Sequence, residues 1–335
     1  HEGLQLTGDR GRAQKPTRRL GVLGTWVWDR VFHPGEDTPW EGWGGLAYAL
    51  EAFSAALPDE WEAVPILKIG GDRVGDAREY LGGIGRVGTL SGVVEFPFDA
   101  ITVERRYRQG WRRQERIRGT ELPWTNEELV QFCSGFDALY LNFITGFELG
   151  LETALSLRAA HSMPLYADLH SLFLDKDFDG RRSLRSLPRF RDWVRAFDIV
   201  QMNEEEFGTL GPFRTDARDE AEKLLGTGVK VIAVTLGAAG AEYFGTDGFD
   251  LNPGVRPSHG KTDSGIRGIL TGKVPATRVS SSGDPSGCGD VWGATFFSRI
   301  LAGDSLETAA VESNRLAARK LAYWGATGLR YHLSA

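Results

Sequence analysis

The chain has 335 residues, room for one large α/β domain or two ordinary ones, and its 41% hydrophobic and 25% charged residues are the balance of a globular fold. A formal net charge of −6 argues against a general nucleic-acid binder, and two cysteines, Cys133 and Cys288, make neither a disulfide framework nor a zinc spacing. No apolar run reaches the roughly 18 residues of a membrane span, and a reducing cytoplasm suits the cysteine usage.

Residues 1–18 are basic and lack an apolar core, which predicts a flexible tail rather than a secretion signal. "RRLGVLGTWVWD" reads as a buried strand ending at Gly24, then a short segment carrying Asp29. "PGEDTPWEGWGG" is turn-rich and predicts a loop before the helix "LAYALEAFSAAL", whose apolar residues recur at helical spacing. "EAVPILKIGGDRVGD" predicts a second buried strand and a turn, completing a βαβ start with a parallel sheet.

From Ser91 to Gly119 charges alternate with β-branched and aromatic residues, which predicts strands exposed on one face, outside the main core. The seven arginines between Arg105 and Arg118 read as solvated charges, a nucleic-acid patch, or ligands for a substrate phosphate or carboxylate. The α/β rhythm then resumes with strands at "FDALYLNF", "PLYADLH", "DIVQM" and "VKVIAVT" and helices at "GLETALSLRAAHSM" and "DEAEKLLGTG". Thr246 to Pro275 is a polar, glycine-rich insertion with no assignable element. "GDVWGATFFSRILAG" and "SLETAAVESNRLAARKLAYWGA" are two long helical patterns. One uninterrupted alternation favours a single domain.

Three motifs carry candidate chemistry. In "DPSGCGDVWGATFF", Gly287, Cys288 and Gly289 precede an apolar helix, where amides without intrahelical partners point outward at the positive end of the dipole. Such a turn suits a transferring phosphoryl group, and Asp290 beside it either accepts a proton from an attacking hydroxyl or caps the helix. In "MNEEEF", Asn203 and Glu206 share a face of a helical turn, as hard ligands for Mg²⁺ or as an ordinary helix start. In "VTLGAAGAEYF", Thr235 and Gly237 follow a buried strand at the end where open α/β sheets bind ligands, or simply form a hairpin turn.

The succession of Asp29, Gly44–Gly45, N-x-x-E, T-L-G-x-x-G and D-P-S-G-C-G-D resembles the PfkB family of carbohydrate kinases, over about Leu20 to Gly328. The resemblance implies a ribokinase-like three-layer α/β fold: a mostly parallel sheet flanked by helices over residues 19–335, with a small β-sheet lid from about 29–42 and 91–120. It implies ATP-dependent phosphorylation of a hydroxyl, usually the CH₂OH of a sugar or nucleoside. Asp290 is then the base, and the amides of Gly287, Cys288 and Gly289 hold the γ-phosphate. Glu206 with Asn203 organises Mg²⁺, largely through water. Asn203, Thr235, Gly237, Gly240 and Asn314 border the nucleotide; Asp29, Gly44, Gly45, Tyr48 and Asp168 face the acceptor. Asp284 lies where many members bind K⁺ nearby, and the lid often mediates homodimers.

Several residues depart from the family pattern. Ala49 stands where many sugar kinases carry asparagine, with Tyr48 beside it, which suggests a different or bulkier acceptor. Cys288 replaces the usual alanine; only its amide is needed, but its place at a helix start predicts a lowered thiol pKa and sensitivity to alkylation. The insertion after Thr246 puts nucleotide preference in question, and the ten tryptophans offer stacking surfaces or core. Two other functions stay open: a nucleoside kinase of the same fold, favoured if Tyr48 lines the acceptor site, and a catalytically silent sugar sensor or scaffold. A nicotinamide dehydrogenase fits poorly, because no G-x-G-x-x-G follows the first strand.

Overall fold

The computed structural model describes residues 18–107, 113–210, 213–249, 251, 268–279 and 283–335. The tail up to residue 17, the core of the 246–275 insertion, and Arg108 and Arg112 of the arginine-rich stretch lie outside the described residues.

The first third builds two sheets at once. β1 (Arg18–Gly24) is buried along most of its length, as a parallel strand covered on both faces must be. β2 (Trp26–Phe32) leaves it after Thr25 and pairs antiparallel with β3 (Trp40–Gly45). The turn-rich stretch before the first helix is thus half strand: Trp40 and Trp43 supply the β-preference that its glycines conceal. α1 (Leu46–Ala56) follows, then β4 (Trp61–Gly70), α2 (Val74–Gly82) and β5 (Val93–Phe96). β5 pairs parallel with β4, so the start of the 91–120 segment joins the large sheet, burying Val93 and Phe96. β6 (Thr102–Tyr107) and β7 (Arg113–Arg118) instead extend the β3–β2 pair into a separate four-stranded sheet of order β3-β2-β6-β7.

The remainder is regular: α3 (Asn126–Cys133), β8 (Ala138–Asn142), α4 (Leu151–Ala160), β9 (Leu165–Asp168) and a small hairpin of β10 (Leu174–Lys176) with β11 (Arg182–Leu184). Then come α5 (Phe190–Arg195), β12 (Ile199–Asn203), α6 (Glu204–Gly208), α7 (Phe213–Leu225), β13 (Val231–Thr235), β14 (Ala241–Thr246) and β15 (Ile269–Val274). α8 (Cys288–Leu301), α9 (Leu306–Leu321) and α10 (Leu329–Ser334) end the chain. The large sheet has nine strands in the order β15-β14-β13-β12-β9-β8-β1-β4-β5, antiparallel only where β14 meets β13 and β15. One apolar core lies beneath α1, α2, α8, α9 and α10, and a second on the opposite face beneath α3, α4, α5 and α7. Among the described residues, no helix is long and apolar enough to cross a membrane.

α10 has little apolar periodicity to announce it, and a charge fixes it. Glu51 of α1 is fully buried and accepts hydrogen bonds from the Arg330 guanidinium at 2.8 and 2.9 Å, the Arg330 amide at 2.9 Å and the Tyr80 hydroxyl at 2.7 Å. Removing one partner of such a pair strands the other charge inside the protein. Arg330→Met should lower unfolding free energy by about 3 kcal/mol in urea titration.

Candidate active site

Parallel register lines up the carboxyl ends of the central strands: Gly24 opposite Asn142, Asn142 opposite Asp168, Asp168 opposite Gln201, and Asn203 opposite Thr235. Ligands of open α/β sheets bind at this edge. Above it lies a cavity of about 340 Å³, within the range of small-molecule sites. Its wall brings together residues from distant parts of the sequence: Gly45 and Tyr48, Asp168, Asn203 and Glu206, Thr235 and Gly237, and Gly287, Gly289 and Asp290.

The turn into α8 is built to leave amides open. Gly287 caps the helix with φ +80°, which glycine adopts without strain, and a methyl group there would overlap the Tyr48 ring. No side chain caps α8. The Cys288 amide donates to the Pro285 carbonyl at 3.2 Å, so its expected share in an anion hole is already taken. The amides of Gly287 and Gly289 have no backbone acceptor among the described residues. Asp290 accepts a hydrogen bond from Asn142 Nδ2 at 2.6 Å, and Gln201 Nε2 donates to the Gly289 carbonyl at 3.1 Å. Asn142, at the end of β8, and Gln201, within β12, are single polar residues without a motif to mark them in the sequence. Burial raises the Asp290 carboxyl above its ordinary value, against lowering by Asn142, His170 and Arg105.

Asn203 and Glu206 realise the helix-start reading in full. The Asn203 side chain accepts from the Glu206 amide at 2.9 Å, and Glu206 accepts from the Asn203 amide at 2.8 Å, a reciprocal capping box. The same Glu206 carboxylate lines the cavity and pairs with His170 Nδ1. Asp168 accepts from the His170 amide at 3.1 Å. Burial pushes the Asp168 carboxyl up to about 7, offset by His170 and reinforced by the charges of Asp290 and Glu206.

At the other end, Asp29 is fully buried and its carboxylate lies 2.6 Å from Arg105 Nη1. Arg105 also pairs with Glu115 at 3.2 Å, and both Arg105 and Glu115 line the cavity. Burial raises Asp29 to about 6 in spite of Arg105. The Asp29 carboxylate fills the space over Gly44, so Gly44 is glycine to admit Asp29 and only Gly45 of the pair borders the cavity. Tyr48 is 1% exposed, its ring packed against Gly287, which removes it as a stacking face. Among the described residues, no tryptophan lines the cavity.

Four other expected site residues brace the wall from behind. A methyl group at Gly240 would strike the Val274 carbonyl, and Asn314 donates to the carbonyls of Val274 and Pro275 at 3.1 and 2.9 Å while accepting from Trp292. Both pin the end of β15. Asp284 is buried against Lys320. The Cys288 thiol turns inward toward the carbonyls of Asp284 and Ala317, and burial raises its pKa to about 11 despite Lys320. The lowered thiol expected from the helix dipole is therefore overturned, because desolvation of the thiolate is the larger effect.

This architecture has solved counterparts. A sulfate complex of a pyrophosphate-dependent kinase in the ribokinase family matches with TM-score 0.72 at 19% identity, over 94% of this chain and 99% of that one. Arabidopsis thaliana ribokinase, complexed with ribose and ATP, matches with TM-score 0.66 at 18% identity over 96% and 98%. The fold is that of ribokinase. A Burkholderia thailandensis nucleoside kinase in complex with inosine shares this ribokinase-like fold, with TM-score 0.67 at 16% identity over 94% and 96%. The pfkB family carbohydrate kinase model matches residues 173–329, which include Glu206, Thr235 and the whole turn into α8. No curated protein sequence matches the chain.

Two outcomes follow from this geometry. Iodoacetamide near neutral pH should label Cys288 slowly in the folded chain and rapidly only after denaturation, as mass spectrometry would record. Between pH 3.8 and about 7 the folded chain keeps a proton on Asp168 that the unfolded chain has released, so this carboxyl subtracts stability as pH rises through that window. Asp168→Asn removes the slope: its melting temperature relative to the natural chain should be higher at pH 8 than at pH 5.

Proposed function

We propose that the chain transfers a phosphoryl group from ATP to a hydroxyl of a neutral sugar or sugar-like polyol. The observation that carries this reading is the placement of the Asp290 carboxylate, oriented by Asn142, beside the open amides of Gly287 and Gly289 in one cavity. In phosphoryl transfer the protein mainly positions the reactants and neutralises charge on the equatorial oxygens. The two amides, at the positive end of α8, donate to those oxygens; Asp290 takes the proton of the attacking hydroxyl. Its raised pKa suits a base that must hold the proton once it has it.

The donor lies along the β12–β13 side, where Asn203, Thr235 and Gly237 border the cavity. Among the described residues no cluster of three or more acidic, histidine or cysteine side chains could cage a metal. Mg²⁺ needs no such cage, since it arrives on phosphate oxygens and keeps several waters. Glu206, flanked by Glu204 and Glu205 at the cavity wall, and Asn203 are the oxygen-bearing groups that would meet those waters. Bound there, Mg²⁺ neutralises charge on the donor phosphates.

The acceptor lies on the opposite side, toward Gly45, Arg105 and Asp168. Arg105 is already matched by Asp29 and Glu115 and has no spare charge for an acidic acceptor; its remaining donors and the carboxylates suit hydroxyls. Burial of Tyr48 takes away the aromatic face on which a nucleoside reading leaned. The four-stranded sheet that carries Asp29, Arg105 and Glu115, built from β2, β3, β6 and β7 without β5, serves as the lid, and its closure excludes water as a competing acceptor.

The test is product formation by mass spectrometry from a panel of sugars, polyols and nucleosides, with Mg²⁺ and either ATP or pyrophosphate. The pyrophosphate arm is included because of the pyrophosphate-dependent kinase among the structural counterparts. With the true acceptor, Asp290→Asn should lower kcat by about 10²–10⁴-fold and leave donor affinity in calorimetry unchanged. Near-normal turnover by that variant sinks the assignment.

A further inference from the structure

We infer that the ammonium of Lys320 is the built-in cation of the phosphate-binding turn and stands in for a monovalent metal ion. The inference rests on reading the turn into α8 as a phosphate seat. Lys320, near the end of α9, is 0% exposed, and burying an ammonium is costly unless every donor is used. Its three donors have three oxygens: the Tyr323 carbonyl at 2.8 Å, the Asp284 carbonyl at 3.2 Å and Asp284 Oδ2 at 3.4 Å. The ammonium also lies 5.3 Å from the centroid of the Tyr48 ring, whose edge supports Gly287.

The shell is two main-chain carbonyls, one carboxylate and an aromatic ring, a set of hard oxygens that suits a monovalent cation. Lys320 is already inside it. The expected K⁺ near Asp284 therefore does not fit: the Asp284 carbonyl and Oδ2 face the ammonium, and Oδ1 accepts the Ser286 amide at 2.9 Å. The same contacts make the charge structural for the seat. Asp284 also donates its amide to the Leu321 carbonyl at 3.0 Å, so Lys320 and Asp284 clamp the end of α9 to the turn that opens α8. A cation held there balances the buried Asp284 carboxylate beneath the turn without an ion taken from solution.

Two readouts test this, one independent of catalysis. At fixed ionic strength, melting temperature and, where an acceptor has been found, turnover are measured in KCl, NaCl and tetramethylammonium chloride. The natural chain should give the same melting temperature and rate in all three. A saturable, K⁺-specific rise in either overturns the proposal, and the natural chain needs no variant to fold. Lys320→Met opens the shell: in tetramethylammonium it should melt lower and turn over at least about tenfold more slowly, the worth of one charged hydrogen bond, and K⁺ should restore part of both. Natural stability and turnover in Lys320→Met without K⁺ overturns the proposal as well. If no acceptor is ever phosphorylated, the kinase reading fails while the melting series still decides whether Lys320 fills the cation shell.

Discussion

The site depends on one hydrogen bond, from Asn142 Nδ2 to Asp290. An aspartate in the first turn of a helix ordinarily satisfies nearby amides, because those amides lack intrahelical partners and sit at the positive end of the dipole. Here no side chain caps α8, and Asn142 at the end of β8 holds the carboxylate toward the sheet edge. The glycine amides stay open as a consequence. Packing supports the arrangement from behind: Gly293, one turn into α8, has no room for a side chain against Gln201, Tyr140 and Tyr166, so the helix rides close to the sheet. Gln201 then reaches the Gly289 carbonyl and fixes the turn's height above the strands.

Charge is the second constraint. Asp168, Glu206 and Asp290 share one rim, and the mutual repulsion of buried carboxylates raises Asp168 further than burial alone would. Such a rim tolerates no anion unless cations accompany it. His170 serves Glu206, Arg105 is divided between Asp29 and Glu115, and Lys320 lies behind the turn on Asp284. A polyphosphate brings its own Mg²⁺, while an anionic acceptor would not. The proposed division into a phosphate side and a neutral hydroxyl side thus has an electrostatic basis, consistent with where the open amides lie.

Much of the frame is legible in the sequence because it is encoded locally. The buried strands are short apolar runs, α1, α8 and α9 have helical periodicity, and Gly287 and Gly289 mark the turn by the backbone freedom it needs. What the sequence hides is encoded across distance. Asn142, Gln201 and His170 are single polar residues whose roles come from parallel register. Lys320 looks like one more charge on an amphipathic helix until the turn at Asp284 folds onto it. β3 is masked by its glycines, and one of these, Gly44, admits a buried aspartate rather than a ligand. Cys288 misleads because a residue beside a site in sequence can be turned into the core, where desolvation outweighs proximity.

The two sides of the cavity also differ in how tightly chemistry constrains them. The family model begins at residue 173 and so covers Asp290, proposed as the base, the open amides and the wall proposed for the donor. The groups assigned to the acceptor, Asp29, Gly45, Arg105, Glu115 and Asp168, all precede it, and Asp29, Arg105 and Glu115 belong to the separate sheet. Phosphate geometry is the same for every acceptor, so the turn, its carboxylate and its supporting cation can vary little. A sheet that meets only hydroxyls can be rebuilt by exchanging side chains on strands whose pairing is set by the backbone. On the proposed reading, the Arg105 triad, a salt-bridged cluster at the centre of that sheet, is where acceptor choice would be written. It fixes a rigid set of donors and acceptors at the cavity wall, whereas Ala49 is fully buried away from it.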